Sequence, residues 1–207
     1  MPDPLDAVSP LDGRYARYAE PLRAYGSEAA LMRARTRVEV EYLLALADLD
    51  ATPLELDDGE REAARAVYEN FDADDARLVK RIETEGHCDY PATNHDVKAV
   101  EYLLRERLPD HAHPWIHFAL TSEDVNNLAH RLLARGAVRV VLLPALEDVR
   151  EALGMLAHDH ADLPMLARTH GQPATPTTFG KEMAVYAGRL GRAIGRASCR
   201  ERVFRAV

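Results

Sequence analysis

The sequence predicts an all-α protein. A small N-terminal helical domain covers residues 1–115, and residues 116–207 begin a long-helix bundle that the chain does not complete. Three observations lead there. Apolar residues recur every three or four positions through long runs, the period of one helix face. No stretch alternates polar and apolar residues long enough for a convincing strand. The stripes are long and amphipathic, so they need partner helices, often those of other subunits.

Composition narrows the function classes. Hydrophobic residues make up 47% of 207 positions, enough for a sizeable core. Lys and Arg number 26 against 34 Asp and Glu, a net charge of −8. Such a chain is a poor generic binder of nucleic acid or anionic membrane, although a local cationic pocket for a small anion is compatible with it. Cys88 and Cys199 lie far apart and give neither a disulfide framework nor a zinc ribbon, so a reducing cytoplasm fits best. The first ten residues, MPDPLDAVSP, lack the basic start and apolar run of a signal peptide. No apolar stretch approaches membrane-spanning length.

Taken in order, residues 1–26 read as an extended arm, because Pro2, Pro4, Pro10 and Pro21 oppose a continuous helix. Asp12-Gly13 is a turn signal that presents Arg14 and Tyr15. Ser27 can cap the next helix, whose stripe is Leu31, Ala34, Val38, Tyr42, Leu46 and Leu49. Arg35 with Glu39, and Arg37 with Glu41, are i,i+4 pairs on what reads as a solvated face. Two shorter helices follow over about 58–70 and 74–85.

The stretch GHCDYPA (86–92) breaks the pattern, and its His87, Cys88 and Asp89 are adjacent. Neighbours rarely converge on one ion without distant partners, so a metal is not expected there. Thr93 as N-cap with Asp96 at N3 then reads as a capping box, with Val97, Val100, Leu104 and Leu108 as the buried stripe. After a charged, proline-containing connection through Trp115, Thr121-Ser122-Glu123-Asp124 starts another helix. Its register runs through Val138–Leu143 to Leu156, with Pro144 as a kink or division. His158 and His160 point apart on a helix and read as surface residues. A last helix carries Phe179, Met183, Tyr186, Leu190 and Ile194. It is still periodic where the chain stops, so the sequence reads as a truncated piece.

The chemistry centres on RTHGQPATP (168–176), read as a stiff connection between two helices. Pro173 and Pro176 fix φ and Gly171 allows a tight path, so His170 is held in one place, as a proton-transfer group requires. The plainer alternative is an exposed histidine in an ordinary connection. Arg14 beside Tyr15 suits a carboxylate or phosphate, against the plainer reading of a solvated charge next to a packing residue. His95 sits where first-turn amides and the helix dipole attract anions. Capping accounts for Thr93 and Asp96 in part, but does not call for Asn94 and His95 as well.

Four segments together carry a resemblance: SPLDGRY (9–15), TNHDVKAVEY (93–102), HFALTSEDVNNLAH (117–130) and RTHGQPATPTTFGKEMA (168–184). Through about Arg196 the chain resembles the N-terminal part of the adenylosuccinate lyase family, within the fumarase/aspartase superfamily. The resemblance implies β-elimination of fumarate from adenylosuccinate, giving AMP, and from SAICAR, giving AICAR, with no cofactor. It implies His170 as general acid. Arg14 and Tyr15 would bind the nucleotide, Asn94, His95 and Asp96 would form a second substrate-binding group, and Thr121 with Ser122 a third. Thr169 and Gln172 flank the acid, and no role is carried to Lys98. It further implies a homotetramer whose sites draw on three subunits, and a serine base in a later Met-Pro-His-Lys-Asn-like segment that residues 1–207 do not contain. The GHCDYPA stretch is longer than in the simplest members, and the tail after Arg196 departs from the family. A fragment of this kind is expected to be inactive alone. The alternatives are another lyase of the superfamily, such as one acting on argininosuccinate, or a helical scaffold without chemistry.

Overall fold

A computed structural model describes the backbone of residues 5–203 and the side chains of residues 5–196. Pro2, Pro4, Cys199 and the tail's side chains lie outside the described residues. Helices dominate, and the chain divides into two compact units, Met1–Ala137 and Val138–Val207.

The first unit is organised around helix α3, Glu28–Ala47. The arm before it is not extended over its second half. Residues form the short helices α1 (Ala16–Ala19) and α2 (Arg23–Gly26), joined by a 3₁₀ turn over Glu20–Leu22. Pro21 stands in the first turn of that 3₁₀ segment, where its missing N–H is not needed. Ser27 caps α3 as its sequence predicts, accepting from the Ala30 N–H at 3.2 Å. Helices α4 (Asp58–Glu69) and α5 (Ala73–Thr84) start with capping boxes, Asp57 with Glu60 and Asp72 with Asp75. Helix α6 spans Asp96–Arg107 and α7 spans Ser122–Gly136, with a 3₁₀ turn over Asp110–Trp115 between them.

The main core joins α3, α5 and α6 through Val40, Leu43, Val79, Ile82, Val100 and Leu103. A second cluster, Ala34, Val38, Val125 and Ala129, packs α7 on the other side of α3. Helix α3 is therefore covered from two directions. Arg35 and Glu39 are consequently not on a solvated face: they are 6% and 1% exposed, Arg35 bonded to α6 and α7 and Glu39 to His117 ahead of α7. Glu41 likewise leaves Arg37 and accepts from the Tyr68 hydroxyl of α4 at 2.7 Å.

In the second unit, α8 (Leu143–Asp159) packs along α9 (Phe179–Val203). The run before α8 is helical as its register predicts, taking a π-helical turn over Ala137–Leu142. Pro144 sits in the first turn of α8, where no intrahelical donor is required. His158 is exposed, and His160 meets the Phe179 ring edge-on at 5.4 Å. No residue of α8 is buried: Val149, Met155 and Leu156 all stand exposed, so its apolar stripe has no cover among the described residues.

The connection between α8 and α9 is not a bare bend. After a first short antiparallel pair, β1 (Gly86–His87) with β2 (Tyr90–Pro91), strands β3 (Pro164–Thr169) and β4 (Gln172–Thr178) pair antiparallel, with Thr169 opposite Gln172. The two-residue turn is His170-Gly171, at φ +49° and +76°. Positive φ at both positions matches the twist of a hairpin. Pro173 and Pro176 obscure the strand in the sequence, yet each strand of a two-stranded hairpin has an open edge that tolerates the missing donor.

Candidate active site

In the first unit two helix starts converge. His95 Nε2 of the α6 start lies 3.4 Å from the Ser122 hydroxyl at the first residue of α7. Asn94, His95 and Asp96 come from the first start, Thr121 and Ser122 from the second.

The α6 start is not capped as the sequence predicts. Thr93 and Asn94 donate their N–H groups backwards, to the Ile82 and Glu83 carbonyls at the end of α5, at 3.2 and 2.9 Å. Asn94 then takes φ +48°, and helical geometry begins only at Asp96. The N-cap is His95, whose Nδ1 accepts from the Lys98 N–H at 3.3 Å. Accepting at Nδ1 leaves the proton on Nε2, the nitrogen that faces Ser122. The Asp96 carboxylate takes the Val97 N–H at 2.9 Å and the Arg35 guanidinium at 2.7 Å. Burial pushes the Asp96 carboxyl up, but the Arg35 charge and these hydrogen bonds outweigh it and hold it below the usual range.

At the α7 start, Thr121 spends its hydroxyl and its N–H on the Asp124 carboxylate, at 2.9 and 2.8 Å. Those two hydrogen bonds keep Asp124 more acidic than usual. Ser122 keeps its contact to His95. One hydroxyl and one imidazole thus meet where two helix starts converge, and the positive ends of the helix dipoles there suit a carboxylate or phosphate.

Residues that the sequence reading passed over hold this locality in place. Arg35 Nε also donates to Asn126 of α7 at 2.8 Å, so one guanidinium ties α3 to both helix starts. One turn further along α3, Glu39 Oε1 meets His117 Nδ1 at 2.5 Å. His117 Nε2 lies 3.9 Å from Glu101, which pairs with Lys98 at 2.5 Å. Burial raises the Glu39 carboxyl despite the neighbouring imidazole, and its second oxygen has no partner among the described residues. His117 and Ala119 hold φ +61° and +56°, a strained approach to the Thr121 cap. The available sequence signal was the second apolar stripe of α3, at Met32, Val40, Leu43 and Leu44. A helix with two stripes is covered on both sides, and charges between the stripes are covered too.

Arg14 and Tyr15 stand apart from these contacts. They follow a turn closed by Asp12 and Gly13 N–H bonds to the Ser9 carbonyl. The Arg14 guanidinium lies 4.6 Å from the Tyr15 ring centre, and both residues are exposed. His170 belongs to the second unit. It is exposed at the hairpin tip, with Thr169 and Gln172 paired behind it.

The family model described as lyase matches residues 13–203. Curated relatives called adenylosuccinate lyase include those of Vibrio cholerae, 45% identical over 196 residues, and Escherichia coli K12, 43% over 196. That of Legionella pneumophila (strain Corby) is 40% identical over 195. Each match covers 91% of this chain and 41% of the relative, so the chain spans about two fifths of their length. Among solved structures, a fumarate lyase from Mesorhizobium sp. BNC1 has a TM-score of 0.68 at 25% identity, covering 86% of this chain and 38% of its own. A 3-carboxy-cis,cis-muconate lactonizing enzyme from Pseudomonas putida has a TM-score of 0.65 at 26%, with the same coverages.

Proposed function

We propose that this chain, which belongs to the lyase family, carries the acid side of an adenylosuccinate lyase site. The reaction is β-elimination of fumarate from adenylosuccinate, and equally from SAICAR, in purine synthesis. A base removes a proton beside the succinyl carboxylate, charge spreads onto that carboxylate, and an acid protonates the departing nitrogen. His170 is the acid in this reading. An imidazole has an ordinary pKa near ~6.5, so it can hold and release a proton at working pH. The observation that carries the proposal is the presentation of His170, open to solvent on a two-residue turn between paired strands. A shared site between subunits needs an acid delivered outward on a stiff support.

The anionic ends of the substrate fall to the other groups. Ser122 takes a carboxylate, while Thr121 holds the start of α7 through Asp124. Asn94, His95 and Asp96 form the second binding group, and Arg14 with Tyr15 binds the nucleotide. The uncovered apolar face of α8 supports self-association, which we take to be a homotetramer. Neither nucleic acid nor membrane is a partner in this reading, and its setting is the cytoplasm. Among the described residues no helix is long and apolar enough to cross a membrane. In this reading the bundle domain of the family begins at residue 116, ahead of the point at Ala137 and Val138 where the two compact units part.

Fumarate release by the complete protein tests the proposal. Adenylosuccinate should be cleaved, and His170→Ala should lower kcat by about 10²-fold or more. Unchanged turnover in that variant would favour a scaffold. Fumarate from argininosuccinate instead would favour another lyase of the family. The 207-residue chain by itself should release none.

A further inference from the structure

We infer that His87, Cys88 and Glu106 form a binding site for a zinc-like divalent ion. Adjacency of His87 and Cys88 alone would not point to a metal, and the sequence offered no distant partner. The fold supplies one. Strands β1 (Gly86–His87) and β2 (Tyr90–Pro91) form a short hairpin that returns the chain along α6. This brings His87 Nε2 within 3.6 Å of Glu106 Oε1, on the last turn of α6. The imidazole nitrogen, the Cys88 sulfur and a Glu106 carboxylate oxygen all lie within 4.8 Å of one another. With bonds of about 2.0–2.3 Å, the edges of a tetrahedral zinc site are roughly 3.4–3.6 Å. The His87–Glu106 separation already has that value, and the Cys88 sulfur, at most 4.8 Å from either partner, has to come in by about 1 Å.

The hairpin is built to hold its place. Tyr90 stacks on Tyr102 of α6 with ring centres 4.2 Å apart and 12° between planes. Gly86 takes φ +90°, and a Cβ there would meet the Tyr90 carbonyl at 2.6 Å, so this tight return needs glycine. Cys88, at φ +48°, is a free thiol on the exposed side, which leaves a fourth position open to water. One sulfur, one imidazole and one carboxylate form a borderline set that favours zinc or cobalt over calcium or magnesium. The ion would clamp the segment between α5 and α6 at its far end. The near end of that segment carries Asn94 and His95, so the expected role is to fix the loop that feeds the candidate active site.

The test uses the purified complete protein, stripped with EDTA and titrated with zinc(II). Cobalt(II) serves as a spectroscopic substitute whose thiolate charge-transfer band reports Cys88. One zinc per chain should survive desalting, and the cobalt band should appear at one equivalent. Cys88→Ser and Glu106→Gln, both at exposed positions, should keep the wild-type circular dichroism. Each should weaken zinc binding at least about tenfold, and Cys88→Ser should abolish the band. The chain has nine histidines that could bind zinc adventitiously, so the variants decide. No retained zinc, or wild-type affinity in either variant, overturns the site.

Discussion

Replacing Glu39 gives the sharpest test of how the helix starts are held. Its side chain is 1% exposed, 2.5 Å from His117 Nδ1, and one of its oxygens is unpartnered. Glu39→Ala removes the acceptor, strands a half-buried imidazole beside Glu101 and opens a cavity. Breaking a buried charged pair from one side costs about 3–5 kcal/mol. That is a large part of the ~5–15 kcal/mol that holds a domain of this size together. Glu39→Gln keeps the shape and an acceptor. It exchanges a charged hydrogen bond worth about 1.5–3 kcal/mol for a neutral one worth about 0.5–1.5. It also relieves the burial of a carboxylate by a similar amount, so its net cost should be within ~1 kcal/mol. The pH dependence has a definite sign. Burial raises the Glu39 pKa above its ordinary value of 4.5, so the folded state holds that proton more tightly. The stability this contributes is full below the unfolded value and lost as pH rises through the folded one. Glu39→Gln should therefore gain on the wild type as pH rises from about 4.5. Urea denaturation followed by the single tryptophan, Trp115, reports this unit, because its ring packs on Phe118 at 4.9 Å beside the core. A Glu39→Ala cost below about 1 kcal/mol, or a Glu39→Gln cost equal to it, would refute the reasoning.

Arg35→Met should cost about 1–3 kcal/mol in the same assay, by leaving Asp96 and Asn126 without their shared donor. It should also remove the acid-side stability of Asp96, which the wild type has above pH ~3.8 and loses as pH falls through the lowered folded pKa. Gly180→Ala would place a Cβ 2.4 Å from the Ala157 carbonyl oxygen, where backbone must move. A loss of about 1–3 kcal/mol is expected, read as faster hydrogen exchange where α8 meets α9. Gly171→Ala meets no atom but inherits φ +76°. It should cost roughly 1–2 kcal/mol by strain alone, seen as weaker exchange protection in β3 and β4.

The helices were legible because their apolar periods and caps are local. Ser27 announces a helix start where it lies, and the next two helices begin within a residue or two of the predicted 58 and 74. The hairpin was not legible, because a short two-stranded ribbon open on both sides needs no alternation. Its prolines read as breakers, although they stand on free edges. At the α6 start, local rules favoured Thr93 as the cap. A tertiary demand won instead: the end of α5 takes the Thr93 and Asn94 N–H groups, which shifts the helix start and gives the cap to His95. The motifs named the residues that face solvent at the candidate site. They could not name Arg35 and Glu39, because which face of α3 is covered depends on α6 and α7 arriving from opposite sides.

The placement of those two charges shows what α3 contributes to the candidate site. Arg35 and Glu39 lie one helical turn apart on α3, and each holds a different stretch of chain. Arg35 grips the first residue of α6 and a side chain of α7. Glu39 grips His117, four residues before the α7 cap. Apolar side chains of similar size would pack α3 as well or better, since buried ion pairs rarely add net stability. They would leave the two helix starts free to slide along α3, because dispersion contacts are not directional in the way a guanidinium or carboxylate hydrogen bond is. A slide of one ångström would open the 3.4 Å contact between His95 and Ser122. The buried charges therefore fix the position of the two helix starts at some cost in stability, which is the trade the proposed anion site calls for.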